Sequence, residues 1–204
     1  MKPKFSTLIL LTLISAAILA PFAFSSLYLA SLRENSFQFH QFLQGEIYKQ
    51  STGYLAMVLV LMEMVLTARK RGRGWPIKVV IPGTMLLWRS LHIFVGVGLL
   101  AMVLVHTFGA TGLNFNAVFL WIFFGVSLSA LVGVVAETGF LESPRRYFTL
   151  PFLTKDSSSK PPSGLAKGPL IRGMRAIWLP THIFLVSVFF IMLGFHIFLA
   201  YYYQ

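Results

Sequence analysis

The chain has no cysteine, only six acidic residues among 204, and a charged fraction of 11%. Without thiols it can form no disulfide, no zinc-thiolate site, no cysteine-ligated iron-sulfur cluster and no thioether-linked haem. The shortage of charge excludes an ordinary soluble domain, where roughly 25% of residues are charged. A composition this apolar also excludes intrinsic disorder. No phosphate-binding loop, catalytic triad or paired-carboxylate site is present in the sequence. The run Gly96-Val97-Gly98-Leu99-Leu100-Ala101 matches the dinucleotide fingerprint in letters. It sits inside an apolar stretch with no preceding strand, so the match is discarded.

What remains is apolar: 56% of residues are hydrophobic and 15% aromatic, and the mean hydropathy is +0.75. Lipid is the solvent such a chain is built for. The sequence predicts an all-α integral membrane protein, with residues 1–204 forming a single membrane domain of five transmembrane helices. The expected spans are Phe5–Leu32, Tyr54–Ala68, Thr84–Phe108, Ala117–Ala136 and Ile177–Tyr202. The second is short and needs Gly53 and the stems of Arg69 and Lys70 to reach both interfaces. The first follows Lys2 and Lys4, but its apolar run is too long for a typical signal-peptide core. Pro21 follows the best Ala-x-x-Ala-like site, so this run is expected to remain as a span.

The net charge of +11 takes its meaning from its distribution. Fifteen of the 17 basic residues fall in alternate connections: Lys2 and Lys4, then Arg69, Lys70, Arg71, Arg73, Lys78 and Arg89, then Arg145, Arg146, Lys155, Lys160, Lys167, Arg172 and Arg175. The opposite side has only Arg33 and Lys49, and the connection 107–116 has no charge. By the positive-inside rule the N-terminus is cytoplasmic and Tyr201–Gln204 external, as in a bacterial inner membrane. The charge is then a topology signal and calls for no nucleic acid. Residues 138–175 are expected to form a cytoplasmic loop, with Phe140–Phe152 along the inner interface and a Ser-, Pro- and Gly-rich stretch beyond.

Four of the five histidines form two pairs, His92 with His106 and His182 with His196, each 14 residues apart. At about 100° per residue, 14 steps fall within about 40° of four full turns, so each pair lies on one helix face, about 21 Å apart along the axis. The two helices run in the same direction, which puts His92 level with His182 near the inner leaflet and His106 level with His196 near the outer. One imidazole from each helix at each of two depths is what two stacked haem b groups need for bis-histidine ligation. The expected inner iron ligands are His92 and His182, and the outer ones His106 and His196. Histidines lining a polar cavity or bonding between helices are the plain alternative. A chlorophyll, with one axial histidine, does not explain the matched depths.

Arg89, Arg172 and Arg175 stand where inner propionates would emerge, and equally obey the positive-inside rule. Such cations are expected to favour the reduced state of the inner haem. Gly125, Ser129 and Gly133 form a smooth stripe for a macrocycle or a neighbouring helix. Gly96 and Gly98 leave room between the third-span histidines. Glu63, read as the only acid within a span, is expected to pair with Arg89 or snorkel, a proton or quinol role being the alternative. His40 reads as a surface residue.

The stretch Arg89-Ser90-Leu91-His92 through His106, and His182 through His196, resembles the haem-binding helices of the cytochrome b of quinol:cytochrome oxidoreductases. The region Tyr54–Tyr202 is similar in a fuller way to the transmembrane domain of ferric reductases and NADPH oxidases, with ligands on the third and fifth helices and the same inside-to-outside direction. The resemblance implies a dihaem membrane cytochrome b with a four-helix haem-binding bundle. No flavin or nicotinamide segment is expected beyond Gln204, and electrons are expected from a quinol or a partner subunit. The expected function is a b-type dihaem subunit carrying electrons across the membrane to a partner redox protein, as part of an oxidoreductase complex rather than a self-contained enzyme. Cytochrome, iron-sulfur or flavin subunits are the expected partners, with the basic Arg69–Lys78 loop meeting an acidic one. A haem-free or pigment-binding structural membrane subunit is the alternative.

Overall fold

Thr84 and Asn114 fix where the two central helices begin. Thr84 Oγ1 accepts the Leu87 N–H at 3.2 Å, and α5 runs Met85–Thr107. Asn114 Oδ1 accepts the Ala117 N–H at 2.9 Å, and α6 runs Phe115–Glu142. Each cap satisfies an amide that the first helical turn leaves without a partner. α5 ends at Phe108, which adopts a left-handed conformation at φ 56°, followed by Gly109 at φ 121°. A Cβ on Gly109 would stand 2.6 Å from the Tyr28 hydroxyl, so glycine is required there for both conformation and space.

The computed structural model describes residues 3–71, 81–109, 113–145, 147–148 and 165–202. Before α5 come α1 (Phe5–Leu19), a 3-10 turn (Ala20–Phe24), α2 (Ser25–Asn35), α3 (Phe37–Gln44) and α4 (Glu46–Arg71). After α6 a two-residue antiparallel ladder joins Tyr147 to Ala166 and Phe148 to Leu165, and α7 (Lys167–Tyr202) completes the chain. Among the described residues the other elements are all helical.

Among the described residues, four helical stretches are long and apolar enough to cross a membrane: Phe5–Phe22, Met85–Thr107, Phe115–Glu142 and Lys167–Tyr202. Phe184, Ile191, Phe195 and Phe198 of α7 are all exposed, a surface suited to lipid and unsuited to water. The first stretch is shorter than the expected Phe5–Leu32. Pro21 has no N–H to continue the ladder, and the chain passes through the 3-10 turn before α2. α2 then lies across the end of α5, where Tyr28 Oη donates to Phe108 O at 2.9 Å.

α6 reaches Glu142 and α7 begins at Lys167, so both extend into the expected loop 138–175. Ser143 ends α6 and Pro144 follows. Lys167 Nζ donates to Leu141 O at 2.7 Å and Ser143 O at 3.0 Å, covering carbonyls that the last turn of α6 leaves open. Pro169 falls in the first turn of α7, where a missing N–H is harmless. Residues 149–164, with Lys155 and Lys160, lie outside the described residues, as do Arg73, Lys78 and Arg146.

α4 packs along α5 and α6 along α7, with α1 against α6. The Phe22 and Phe124 rings meet edge to face at 5.8 Å. The buried core draws on α4 (Ala56, Val60), α5 (Leu99, Leu100, Leu104), α6 (Leu120, Phe123, Phe124) and α7 (Phe189). Leu99 is seven residues from both His92 and His106, and Phe189 seven from both His182 and His196. The core therefore lies between the two histidine levels.

Candidate functional site

The four spaced histidines are brought together in the pairs expected from their spacing. The rings of His106 and His196 lie with centroids 6.2 Å apart and planes at 90°. His92 is close enough to His182 to act on it electrostatically. α5 and α7 thus run in the same direction, each antiparallel to its own partner helix.

Each histidine also meets a polar group from that partner helix through Nδ1. Thr52 Oγ1 on α4 is 2.9 Å from His106 Nδ1, and Ser129 Oγ on α6 is 3.0 Å from His182 Nδ1. Asn116 Oδ1 is 3.1 Å from His196 Nδ1. The carboxylate of Glu63 contacts His92 Nδ1. That approach is ionic rather than aligned as a hydrogen bond, since His92 Nδ1 and Glu63 Oε1 are both buried without a hydrogen-bond partner.

These partners decide where each imidazole proton sits. Thr52 donates its own proton to Tyr48 O at 2.7 Å, so it can only accept from His106. Ser129 donates to Val126 O at 2.8 Å and likewise can only accept from His182. Asn116 Oδ1 and the Glu63 carboxylate are acceptors by nature. With the rings neutral, His106, His182 and His196 therefore carry the proton on Nδ1, a tautomer inferred from the network, and the carboxylate beside His92 Nδ1 favours the same one. The lone pair is then on Nε2, for which no hydrogen-bond partner occurs among the described residues. A histidine whose Nδ1–H is held by an outer acceptor while Nε2 stays open is arranged as a metal ligand.

The 6.2 Å ring separation also fits one metal ion between two imidazoles, at roughly 2 Å per bond plus the depth of each nitrogen in its ring. α5 and α7 are not among the closely packed helix pairs, so their opposed faces are not filled by each other's backbones. Beside His196 an open cleft of about 290 Å³ is lined by Asn114, Phe115, Asn116, Leu199 and Ala200. Among the described residues no cluster of three or more His, Asp or Glu could hold a metal ion unaided.

The arginines are placed differently from expectation. Arg89 and Arg175 converge on Glu137, Arg89 at 3.9 Å and Arg175 in direct hydrogen-bonded contact. Arg172 is exposed and takes no part in that cluster. Glu137 is 5% exposed and belongs to an apolar helix, so Glu63 is not the only acid within one. It went unread because the apolar window was closed at Ala136, one residue short. Glu63 itself pairs with His92 instead of Arg89. Arg69 donates to Ile81 O and Gly83 O, so its guanidinium ties the end of α4 to the approach to α5.

The smooth stripe of α6 is occupied by α7. A Cβ on Gly133 would collide with the indole of Trp178, whose Nε1 donates to Ser129 O at 2.6 Å. Trp178 in turn stacks on His182, with centroids 6.3 Å apart. Gly125 faces Leu185. Gly96 lies beside Glu63, at 3.8 Å from Oε1 to an added Cβ, while Gly98 faces open space. Gly53 backs onto the His106 ring. His40 lies on α3 and Tyr54 Oη meets Tyr201 Oη at 2.5 Å across α4 and α7.

Thr52 and Asn116 carried no weight in the sequence. One signal was present: Thr52 and Glu63 are 11 residues apart, within about 20° of three full turns, so α4 shows both to one neighbour. Lys49, known only as one of two outer cations, donates to His106 O at 2.8 Å. Burial pushes its ammonium below the usual lysine range. Comparison of the chain with protein-family models, curated proteins and solved structures returns no match.

Proposed function

We propose that the chain is a b-type dihaem cytochrome subunit that carries electrons across a membrane within a larger redox complex. The observation that carries this reading is that each of the four histidines, at two levels, has a polar side chain of a neighbouring helix against Nδ1, while no hydrogen bond to Nε2 occurs among the described residues. Two protein ligands per iron are enough, because the porphyrin fills the other positions. Haem supplies the one-electron couple; the protein supplies everything else. His92 and His182 would hold one iron and His106 and His196 the other, about 21 Å apart along the helices. Thr52, Asn116, Ser129 and Glu63 orient the rings and keep the ligating nitrogens unprotonated. With both axial positions taken, no open site is left for oxygen.

In this reading α4 is the second of five spans, crossing at Tyr54–Ala68, and α4 to α7 form the haem-binding bundle. Fifteen basic residues support a cytoplasmic N-terminus and an external C-terminus. Electrons enter from a quinol or from a cytochrome, iron-sulfur or flavin partner, with the basic Arg69–Lys78 loop as the face for an acidic one.

The test is the absorption spectrum of the purified chain with a pyridine haemochrome assay. Two low-spin b haems per chain are expected. His106→Ala should lose one and leave the other low-spin. A folded chain without haem, or a His106→Ala variant that keeps both, rejects the assignment.

A further inference from the structure

The two histidine pairs share a tautomer, but their electrostatic surroundings differ. At the His92 end the Nδ1 partner is a carboxylate, Glu63, whose side chain is 15% exposed. Of the cations at that end, Arg89 and Arg175 both engage Glu137, Arg69 bonds backbone carbonyls and Arg172 is exposed. The anion nearest a ligand at that end is Glu63. At the His106 end the Nδ1 partners, Thr52 and Asn116, are neutral. Lys49 bonds the His106 carbonyl and acts electrostatically on both His106 and His196. Glu34 and Glu46 on that side are exposed, and Glu46 accepts from Gln50 at 2.7 Å. Exposed charges act through water and count for less than half-buried ones.

We infer that Glu63 and Lys49 set the two bis-histidine sites at unequal reduction potentials, the His92/His182 site lower and the His106/His196 site higher. Oxidised haem iron carries one more positive charge than reduced. A carboxylate on the far nitrogen of a ligand stabilises the oxidised form and makes the imidazole a stronger donor. An ammonium beside the other site stabilises the reduced form. Glu63 touches His92, not the iron, and is a positioning residue; Lys49 acts through space. The order is opposite to the one the basic inner rim alone suggests, because Glu63 touches a ligand directly whereas Arg89 and Arg175 engage Glu137.

The inference rests on the dihaem reading, and one experiment separates the two. The full chain in lipid nanodiscs is titrated spectroelectrochemically as wild type, Glu63→Gln, Lys49→Gln and His106→Ala. Wild type without haem absorbance ends the dihaem reading itself. With haem bound, Glu63→Gln should raise the lower midpoint by at least a tenfold change in the reduction equilibrium, about 59 mV for one electron, and leave the higher one in place. Lys49→Gln should lower the higher midpoint only. The haem retained in His106→Ala should be the low-potential one. Unshifted midpoints in both charge variants, or a high-potential haem in His106→Ala, overturn the inference. Should Glu63→Gln lose its haem, Lys49→Gln decides alone.

Discussion

Ser129 places a single hydroxyl between a carbonyl of its own helix and the imidazole of another. Because its proton is committed to Val126 O, it holds His182 in one tautomer. Ser129→Ala removes that constraint while leaving the carbonyl that receives the Trp178 indole. The expected result is a haem at the His92/His182 level bound about 10- to 100-fold less tightly, measured by haem loss on dilution into apomyoglobin. The other level should keep its affinity. The four histidines were legible because intramembrane ionisable residues are rare and a 14-residue repeat stands out. Their Nδ1 partners were not, because a lone Thr, Asn or Ser in an apolar helix means nothing until the neighbouring helix is known.

At the scale of the element, boundaries were legible where a local signal sets them. Thr84 caps α5 and Phe108-Gly109 ends it, within one residue of the expected span. The first expected span, Phe5–Leu32, runs past Pro21, whose missing N–H interrupts the α-helical ladder. The tightest fit of α6 on α7 is a knob in a hole, Trp178 in the space at Gly133. Gly133→Ala should force the indole out and lower stability by about 1–3 kcal/mol, as overpacked cores do. Thermal unfolding in detergent measures it. Pairing the substitution with Trp178→Leu should recover much of the loss, since contacting residues couple.

For the whole molecule, the charge asymmetry gives an orientation that can be checked directly. A reporter fused after Gln204 should be active only outside the cytoplasm, and one placed in the Ser157–Pro162 segment only inside; the reverse pattern would invert which histidine pair is inner. The helix order α4 to α7 was legible in the hydropathy, whereas the pairing of α4 with α5 and α6 with α7 was not, because apolar helices match one another in many ways. Midway between the histidine levels, the core around Leu99, Leu100 and Phe123 is closed by Phe189, which stacks on Phe119 at 5.4 Å. Phe119 reaches on to the His196 ring at 5.3 Å. The buried side chains of that cluster are all apolar, and an apolar layer offers no stepping stones to hydrated ions or protons. A membrane housing this chain would keep its ion gradients intact, as an insulator does, even with a polar histidine site on either side of the layer.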